Sequence, residues 1–264
     1  MDVVSLGFRT DLALLRLGGS EIVDKGDHLV VRTPHNPTFW WGNFVLLERS
    51  PAPDDVDRWL AVFAAELPDR EHLAFGVDGT DGSPADLAAF AERGLDVEAA
   101  TVMTATSVHP PPRPDATAVY RTLTSDEDWA QSVALRVACN DRSLEPTGYL
   151  DFAERRAQTN RTLTVDGRAA WFGAFLDGRL LSQLGVVALD DGLARYQSVE
   201  THPDARGRGF AGTLVHAAAT HAFERLGARA LVMVADPTYS AIRIYRSVGF
   251  SAAETQLQAE RPST

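Results

Sequence analysis

Hydrophobic and polar residues in the second half of the chain alternate between strand-like and helix-like segments. Short runs of β-branched, aromatic and aliphatic residues bounded by Gly, Asp or Pro predict strands. Ser125 stands three residues before Asp128, as at many helix starts, and two longer segments end on Gly227 and Gly249, as helices often do. The predicted strands cover residues 118–123, 168–175, 180–189, 193–201, 230–236 and about 254–258, and the predicted helices begin at Ser125, Gly148, Phe210 and Tyr239.

The first half repeats the end of this pattern. Strands are predicted at 38–50, 72–78 and 97–106, with helices at 56–67 and 84–95 between them. We interpret the match, at an offset of 155 residues, as a diverged tandem duplication, although two strand–helix–strand segments can also align by chance. The alignment pairs Gly94 with Gly249, Phe90 with Tyr245, and Trp41 with Tyr196.

A proline-rich segment separates the two halves. Residues 109–115 contain four prolines, which favour a stiff, extended chain. We therefore predict an N-terminal domain at 1–108, a linker at 109–115 and a second domain at 116–264. Both domains are expected to be α/β, with a mixed, mostly antiparallel, twisted sheet flanked by helices.

Composition narrows the class of protein. The chain has 264 residues, of which 45% are hydrophobic, and a single cysteine, Cys139. No apolar run approaches the roughly 20 residues that cross a bilayer, and the N-terminus lacks the pattern of a secretion signal. One cysteine cannot form an intramolecular disulfide. We expect a soluble globular protein that acts in the cytoplasm and not in a membrane.

The net charge of −11 is concentrated in the first half. Residues 1–115 carry 19 acids and 9 bases, whereas residues 116–264 carry 17 acids and 16 bases. A nucleic acid would be repelled by the first part and would gain little from the second, so we expect no nucleic-acid partner. The acidic surface either keeps the protein in solution or attracts a cationic substrate.

The segment from Val199 to Ala211 carries the clearest chemical pattern. A strand ends at Thr201, and the sequence Arg206-Gly207-Arg208-Gly209-Phe210-Ala211 leads into a long helix. Glycines let the backbone approach a ligand, and the helix N-terminus and two arginines add positive charge, which together favour a pyrophosphate. The Gly-Lys-Ser/Thr ending of a nucleoside-triphosphate loop and the three spaced glycines of a dinucleotide site are both missing.

This segment resembles the acetyl-CoA loop of the GNAT superfamily of N-acetyltransferases. The family pattern Arg/Gln-x-x-Gly-x-Gly/Ala is filled by Arg206, Gly209 and Ala211. AIRIYRSVGF, at 241–250, is similar to the helix that carries the family's tyrosine, here Tyr245. The resemblance covers roughly residues 116–258. It implies a GNAT domain preceded by a second, degenerate GNAT-like half.

The resemblance also implies how the donor binds. Acetyl-CoA would lie between two parallel strands that end near Thr201 and Asp236, with the pantetheine arm paired to the backbone of Val199 and Thr201. The loop amides of Gly207 to Ala211 would hold the pyrophosphate. Tyr245 would protonate the departing thiolate; the alternative is an aromatic residue packed in the core.

The base that removes the amine proton is less clearly indicated. Glu200 is the best candidate because it lies on the strand that would line the cleft; the alternative is a substrate-orienting or merely surface carboxylate. Regular alternation along the strand predicts two faces. One face would carry Tyr196, Ser198 and Glu200, and the other Gln197, Val199 and Thr201.

Two departures from the family pattern affect these expectations. Thr238 stands where the family often has an asparagine that contacts CoA, so we expect a weaker contact there. In the first half, the sequence ERSPAPDD at 48–55 replaces the basic loop, and Phe90 replaces Tyr245. Acids in that position would repel a pyrophosphate, so we expect an inactive half that shapes the acceptor pocket.

These expectations combine into a predicted acetyl-CoA-dependent N-acetyltransferase that acts by direct attack of a primary amine. A small-molecule amine is favoured over a protein as acceptor, and the oligomeric state is left open, a homodimer included. His202 and His216 lack metal-ligand spacing, so no metal is expected. The alternative is a sensor that binds acyl-CoA without catalysis.

Overall fold

The computed structural model describes residues 1–140, 146–239 and 241–262. The chain forms two compact units. The first comprises Met1–Val102, Val234–Pro237 and Ala253–Thr264, and the second comprises Met103–Met233 and Thr238–Ala252.

The first unit holds three helices and six strands among the described residues. Short 3-10 turns lie at Trp40–Gly42, Pro53–Asp55 and Pro84–Leu87. The elements are α1 (Leu6–Leu17), β1 (Glu21–Asp24), β2 (His28–Arg32), β3 (Phe44–Leu47), α2 (Val56–Glu66), β4 (Leu73–Val77), α3 (Ala88–Ala91), β5 (Asp96–Ala105) and β11 (Ser251–Arg261).

The strands of this unit are ordered β1-β2-β3-β4-β11-β5. The pairs β1–β2 and β2–β3 are antiparallel, and β3–β4 is parallel. The C-terminal strand β11 pairs antiparallel with β4, with Leu257 opposite Val77. Leu257 and Ala259 are buried in the core of the first unit, which gives the strand a physical reason to lie there. The predicted boundary at 116–264 had assigned this strand to the second domain.

Strand β3 is buried on both faces because each face packs on a different helix. Val45 and Leu47 lie in the core cluster that contains Trp59 and Phe63 of α2. The alternate residues of the strand, Phe44 and Leu46, lie in the cluster formed with α1. Alternation along a strand divides its side chains between two faces in this way. Sequence patterning did not identify α1, β1 or β2.

The second unit follows the predicted order of elements closely. Its strands β6 (Val119–Thr122), β7 (Ala169–Leu176), β8 (Arg179–Ala188), β9 (Leu193–Thr201) and β10 (Ala230–Ala235) start and end within two residues of the prediction. Ser125 caps the first helix, accepting a hydrogen bond from the Asp128 backbone N–H. Ser240, within the predicted helix from Tyr239, lies outside the described residues. The helices are α4 (Asp126–Ala138), α5 (Pro146–Val165), α6 (Phe210–Arg225) and α7 (Ala241–Arg246).

The sheet of the second unit runs β10-β9-β8-β7-β6. Neighbours pair antiparallel except β9 and β10, which are parallel. Its two faces are covered by different helices. Trp171 of β7 contacts Trp129 of α4, and Phe172, the next residue, contacts His221 of α6. The predicted α/β class with a mixed, mostly antiparallel sheet is confirmed.

The proline-rich segment 109–115 lies along the start of α6. The backbone N–H of Asp115 donates to the Thr213 hydroxyl over 2.9 Å. A β-carbon on Gly212 would lie 3.3 Å from Pro111. The segment therefore packs within the second unit, in contact with the helix that follows the glycine loop.

A constant offset between the two halves does not hold along the whole repeat. Phe75 of β4 and Ala230 of β10 are 155 residues apart, but their partners Val45 and Leu193 are 148 apart. The linking segments therefore differ in length between the halves. Trp41, which a constant offset places on Tyr196, lies in a 3-10 turn before β3 and not in a strand. The predicted equivalence of Trp41 and Tyr196 is therefore wrong.

Candidate active site

Strand β9 leaves its parallel neighbour halfway along its length. It pairs with β10 from Leu193 to Arg195, and Val232 is the last β10 residue in this pairing. The remainder of β9, through Thr201, continues to pair with β8. The backbone from Tyr196 to Thr201 therefore runs past the last pair with β10 in the described part of the sheet. This is the strand segment for which the sequence predicted pantetheine binding.

A bulge at Ser198 breaks the regular alternation of β9. Ser198 has φ +50°, and the pairing shifts so that Gln183 faces Glu200 whereas Gly185 faces Gln197. Because residues opposite each other share a face, Gln197 and Glu200 point to the same side of the sheet. The predicted faces are therefore wrong beyond the bulge, since one extra residue reverses the alternation.

The glycine loop lies between β9 and α6, as predicted. A 3-10 turn at Pro203–Ala205 follows the strand, and Gly207 and Gly209 have φ of +78° and +93°. Gly209 is the residue that precedes α6. Left-handed residues of this kind turn backbone N–H groups outward. The loop residues Arg206, Gly207 and Arg208 are exposed.

Gly209 is needed for a second reason besides its φ angle. A β-carbon there would lie 3.0 Å from the carbonyl oxygen of Arg113. Of the two arginines, Arg206 donates from Nε to the Thr201 carbonyl over 3.3 Å. The Arg208 guanidinium lies 4.8 Å from the centre of the buried Phe210 ring. Phe210 therefore offers a ligand its backbone and not its side chain.

The remaining residues predicted to contact acetyl-CoA lie on both sides of this loop. Val199 and Thr201 are partly exposed at the end of β9, and Ala211 is partly exposed in the first turn of α6. The Thr201 hydroxyl is 2.8 Å from the Ser182 hydroxyl. Thr238 is exposed in the turn before α7. Their contacts with CoA stay predictions.

Tyr245 lies on α7 with its side chain buried. Its side chain is 8% exposed. The hydroxyl makes no hydrogen bond to a described residue. Burial, with a smaller contribution from Tyr239, raises the pKa of Tyr245 to about 12. By contrast, the Tyr196 hydroxyl donates to the Val215 carbonyl over 2.8 Å.

Glu200 belongs to a polar network beneath the sheet. Its Oε2 accepts a 2.6 Å hydrogen bond from Nε2 of Gln183, and its Oε1 lies 3.3 Å from Nη2 of Arg136. Gln183 is fully buried and is held by Ser132, whose hydroxyl donates to the amide oxygen over 2.5 Å. Glu200 is 17% exposed at its side chain, and its role as base, substrate-orienting group or surface carboxylate stays a prediction.

Sequence patterning missed Arg136, Gln183 and Ser132. Ser132 and Arg136 are spaced i, i+4 on α4 and so share a face of that helix. A polar pair on the face that also buries Trp129 and Leu135 was the available signal. The contacts of Glu200 with Gln183 and Arg136 depend on the pairing register of β8 and β9. That register follows from the bulge and cannot be predicted from either strand alone.

The equivalent segment of the first half lacks the features of this site. Residues 48–55 connect β3 to α2 through an acidic 3-10 turn with Asp54 and Asp55. Phe90 is fully buried and stacks on Phe75 with 4.7 Å between ring centres. A hydroxyl comparable to that of Tyr245 is therefore missing at this position.

The described residues were also compared with what a metal site and a membrane-spanning helix require. The described parts of the chain contain no group of three or more His, Cys, Asp or Glu side chains placed to hold a metal ion. Every helix within residues 1–140, 146–239 and 241–262 is too short or too polar to cross a membrane.

One protein-family pattern matches part of the chain. Residues 134–250 match the sequence pattern of the Acetyltransferase (GNAT) family. A search of curated proteins gave no match.

Solved structures resemble the chain over nearly its full length. A GCN5-related N-acetyltransferase from Kribbella flavida has 17% identity and a TM-score of 0.68, covering 99% of this chain and 97% of its own. A tandem GNAT protein from the clavulanic acid biosynthesis pathway has 15% identity and a TM-score of 0.56, covering 95% and 88%. A putative GNAT acetyltransferase from Novosphingobium aromaticivorans has 20% identity and a TM-score of 0.53, covering 92% and 91%.

These structural matches, at low identity, show a shared fold that extends over the first half. The predicted family is confirmed where the sequence pattern of the family matches. Residues 134–250 are therefore a domain of the GNAT acetyltransferase family, in a chain whose first half is GNAT-like in fold.

Proposed function

We propose that the protein is an acetyl-CoA-dependent N-acetyltransferase that acetylates a primary amine by direct attack. The observation that carries the proposal is the exposed glycine loop with two left-handed residues, Gly207 and Gly209, which opens α6 directly after a bulged strand. This loop lies inside the region that matches the GNAT family. The first half, with Phe90 and an acidic turn, is proposed to be inactive.

Donor binding is assigned to the backbone and to two arginines. The N–H groups of Gly207 to Ala211 would hold the pyrophosphate, because the N-terminal end of a sixteen-residue helix stabilises an anion. Arg206 and Arg208 add formal charge at this end. The backbone of Val199 and Thr201 would pair with the pantetheine arm beyond the last pair with β10, and Thr238 would contribute one hydrogen bond.

The chemistry needs one proton removed and one supplied. The amine nitrogen bonds to the acetyl carbon while the carbon–sulfur bond breaks, so the nitrogen loses a proton and the sulfur gains one. Glu200, which retains free lone pairs beside Gln183 and Arg136, would accept the proton from the amine. Tyr245, whose raised pKa keeps it protonated at neutral pH, would supply the other.

The acceptor and the cellular location extend the proposal. We place the enzyme in the cytoplasm and favour a small-molecule amine over a protein as acceptor. No bound metal takes part in the proposed mechanism, which uses only side chains and backbone of the second unit.

Release of free thiol tests the proposal. The protein is incubated with acetyl-CoA and a panel of amines, and CoA release is followed with a thiol reagent. Release that depends on the amine, and that falls in the Tyr245→Phe variant, supports the enzyme. Tight acetyl-CoA binding with no release for any amine would instead support the non-catalytic sensor.

Glu200→Gln tests the proposed base, with Glu224→Gln on the exposed surface of α6 as the matched control. If Glu200 accepts the proton, kcat falls by about 100-fold and the loss diminishes at high pH, where more free amine is present. A loss confined to KM would assign Glu200 to substrate orientation.

A further inference from the structure

A nearly buried arginine lies beside the proposed base. The Arg136 side chain is 10% exposed, and its Nη2 lies 3.3 Å from Oε1 of Glu200. Among the described residues, the guanidinium makes this ion pair and no hydrogen bond. A guanidinium has five N–H donors, and buried polar groups are nearly always hydrogen-bonded. Most of the hydrogen-bonding capacity of Arg136 is therefore unused by the protein.

The guanidinium nevertheless remains within reach of a ligand. The side chain keeps 10% of its surface exposed. Glu200 has an exposed edge as well. The carboxylate and the guanidinium thus form an adjacent, partly accessible pair.

A second arginine adds positive charge on the same face of the sheet. Arg156 of α5 donates to Oε1 of Gln197 over 3.4 Å, and Gln197 shares its face of β9 with Glu200 because of the bulge. Burial and the charge of Arg136 lower the pKa of Arg156 to about 10, which still leaves it cationic at neutral pH. Two guanidinium groups therefore lie near the Glu200 carboxylate.

We infer that the acceptor is an amino acid, whose amine is bound by Glu200 and whose carboxylate is bound by Arg136. The inference rests on the proposed function and names its substrate class. An amino acid carries its ammonium and carboxylate groups on one carbon, so the two groups can meet an adjacent carboxylate and guanidinium together. An amine without an acidic group would lack the charge-assisted contact with Arg136, which costs affinity.

The charge next to Glu200 is a better guide to the charge of the acceptor than the acidic composition of the first half. Exposed charges farther away than about 8 Å are largely screened at physiological salt. Arg136 lies within 3.3 Å of the carboxylate that would receive the amine. An acidic first half is therefore compatible with an acceptor that bears a carboxylate.

Three compounds that share one side chain, namely the amino acid, its methyl ester and its decarboxylated amine, test the inference. Glycine and each L-amino acid that has a primary α-amine are compared with their methyl esters and their decarboxylated amines as acceptors. For the preferred side chain, kcat/KM is expected to be about 100-fold higher for the acid than for the other two, because only the acid pairs with Arg136. Arg136→Gln should remove this preference by lowering the rate with the acid alone. Arg161→Gln, which breaks an exposed ion pair with Asp126, should leave it intact.

Two results would overturn the inference. One is a wild-type protein that uses the ester or the decarboxylated amine as well as the acid. The other is an Arg136→Gln variant that loses activity equally with all three, since this is what a purely structural role produces. If Arg136→Gln does not fold, the double variant Arg136→Gln/Glu200→Gln removes both charges of the pair. Its affinity for the amino acid is then compared by calorimetry with that of Glu200→Gln alone.

Binding of the amino acids without acetyl-CoA separates this inference from the proposed function. If no amine releases thiol, the proposed function fails, but the acid should still bind by calorimetry and should lose at least about 10-fold in affinity in Arg136→Gln. Failure of every amino acid to bind in the presence or absence of CoA would overturn the inference by itself.

Discussion

The two strand–turn–helix segments β9–α6 and β3–α2 have the same topology but different chemistry. Each begins with a strand that pairs antiparallel on one side and parallel on the other. In the second half, the turn is glycine-rich and basic, and it precedes a sixteen-residue helix. In the first half, the turn is acidic and lacks glycine. The fold therefore survives loss of the features that would bind an anion.

The aromatic residues after these segments differ in the same way. Phe90 is buried in an aromatic stack, whereas Tyr245 has a buried ring and a hydroxyl that makes no hydrogen bond to a described residue. Packing requires only the ring at both positions. The hydroxyl at Tyr245 is therefore additional to what the fold needs, which favours a chemical role.

Reversing the charge of the basic turn is expected to have the largest effect. Arg206→Glu/Arg208→Glu should weaken acetyl-CoA binding by about 1,000-fold, because two charge-assisted contacts are replaced by repulsion. The increase in Tm caused by saturating acetyl-CoA should then vanish. Arg49→Glu in the corresponding turn of the first half is the control and should retain the full increase. Unchanged protection in the double variant would contradict the assignment of the loop.

Exchanging the two aromatic residues should change activity in one half and stability in the other. Tyr245→Phe is expected to lower kcat by about 100-fold with little change in the Kd of acetyl-CoA. Phe90→Tyr should add no activity and should cost about 2 kcal/mol of stability, because the site is fully buried in a hydrophobic cluster. Steady-state kinetics and urea denaturation measure the two effects. A Tyr245→Phe variant with normal kcat would assign Tyr245 to packing alone.

Local sequence was sufficient to predict the elements that carry the loop. The pattern around β9 and α6 is written within about thirty consecutive residues, so strand, glycine turn and helix could be identified together. The bulge at Ser198 could not be predicted, because a serine with positive φ has no distinctive sequence pattern. The contacts of Glu200 were missed for this reason, since they depend on a register one residue away from regular alternation.

Tertiary packing explains the other omissions. Helix α1 packs on one face of β3, but nothing in residues 1–37 marks it as strongly as a glycine loop does. Strand β11 was predicted from its pattern, yet its pairing with β4 is a long-range choice determined by the burial of Leu257 and Ala259. Alternation predicts that a strand exists and leaves its neighbour undetermined.

The glycines that end α3 and α7 should differ in their tolerance of a side chain. Gly94 has φ +77° and open space where a β-carbon would lie, whereas Gly249 has φ +120° and a carbonyl oxygen of Ser107 only 3.0 Å from that position. Gly94→Ala should therefore cost about 1 kcal/mol and Gly249→Ala about 3 kcal/mol. Urea denaturation measures both. Equal costs would show that the close approach of Ser107 relaxes easily.

Tyrosine ionisation at alkaline pH should act through the second half, because all five tyrosines of the chain lie between Tyr120 and Tyr245. Burial raises the folded-state pKa of Tyr245 to about 12 and raises that of Tyr196 as well. A tyrosine with a raised folded-state pKa contributes stability that is fully present below pH 10, the value for an unfolded tyrosine, and is lost as the pH rises through the folded-state value.

At pH 11, Tyr245 ionises in the unfolded state but not in the folded state. This difference should lower the free energy of unfolding by about 1 kcal/mol. Tyr245→Phe removes this group, so its free energy of unfolding should fall by about that much less than that of the wild type between pH 9 and pH 11. Urea denaturation followed by tryptophan fluorescence measures the difference. Phe90→Leu, which perturbs a buried aromatic stack that contains no titrating group, should keep the wild-type dependence on pH. Identical slopes for wild type and Tyr245→Phe would mean that the Tyr245 hydroxyl is solvated well enough to ionise in the folded protein.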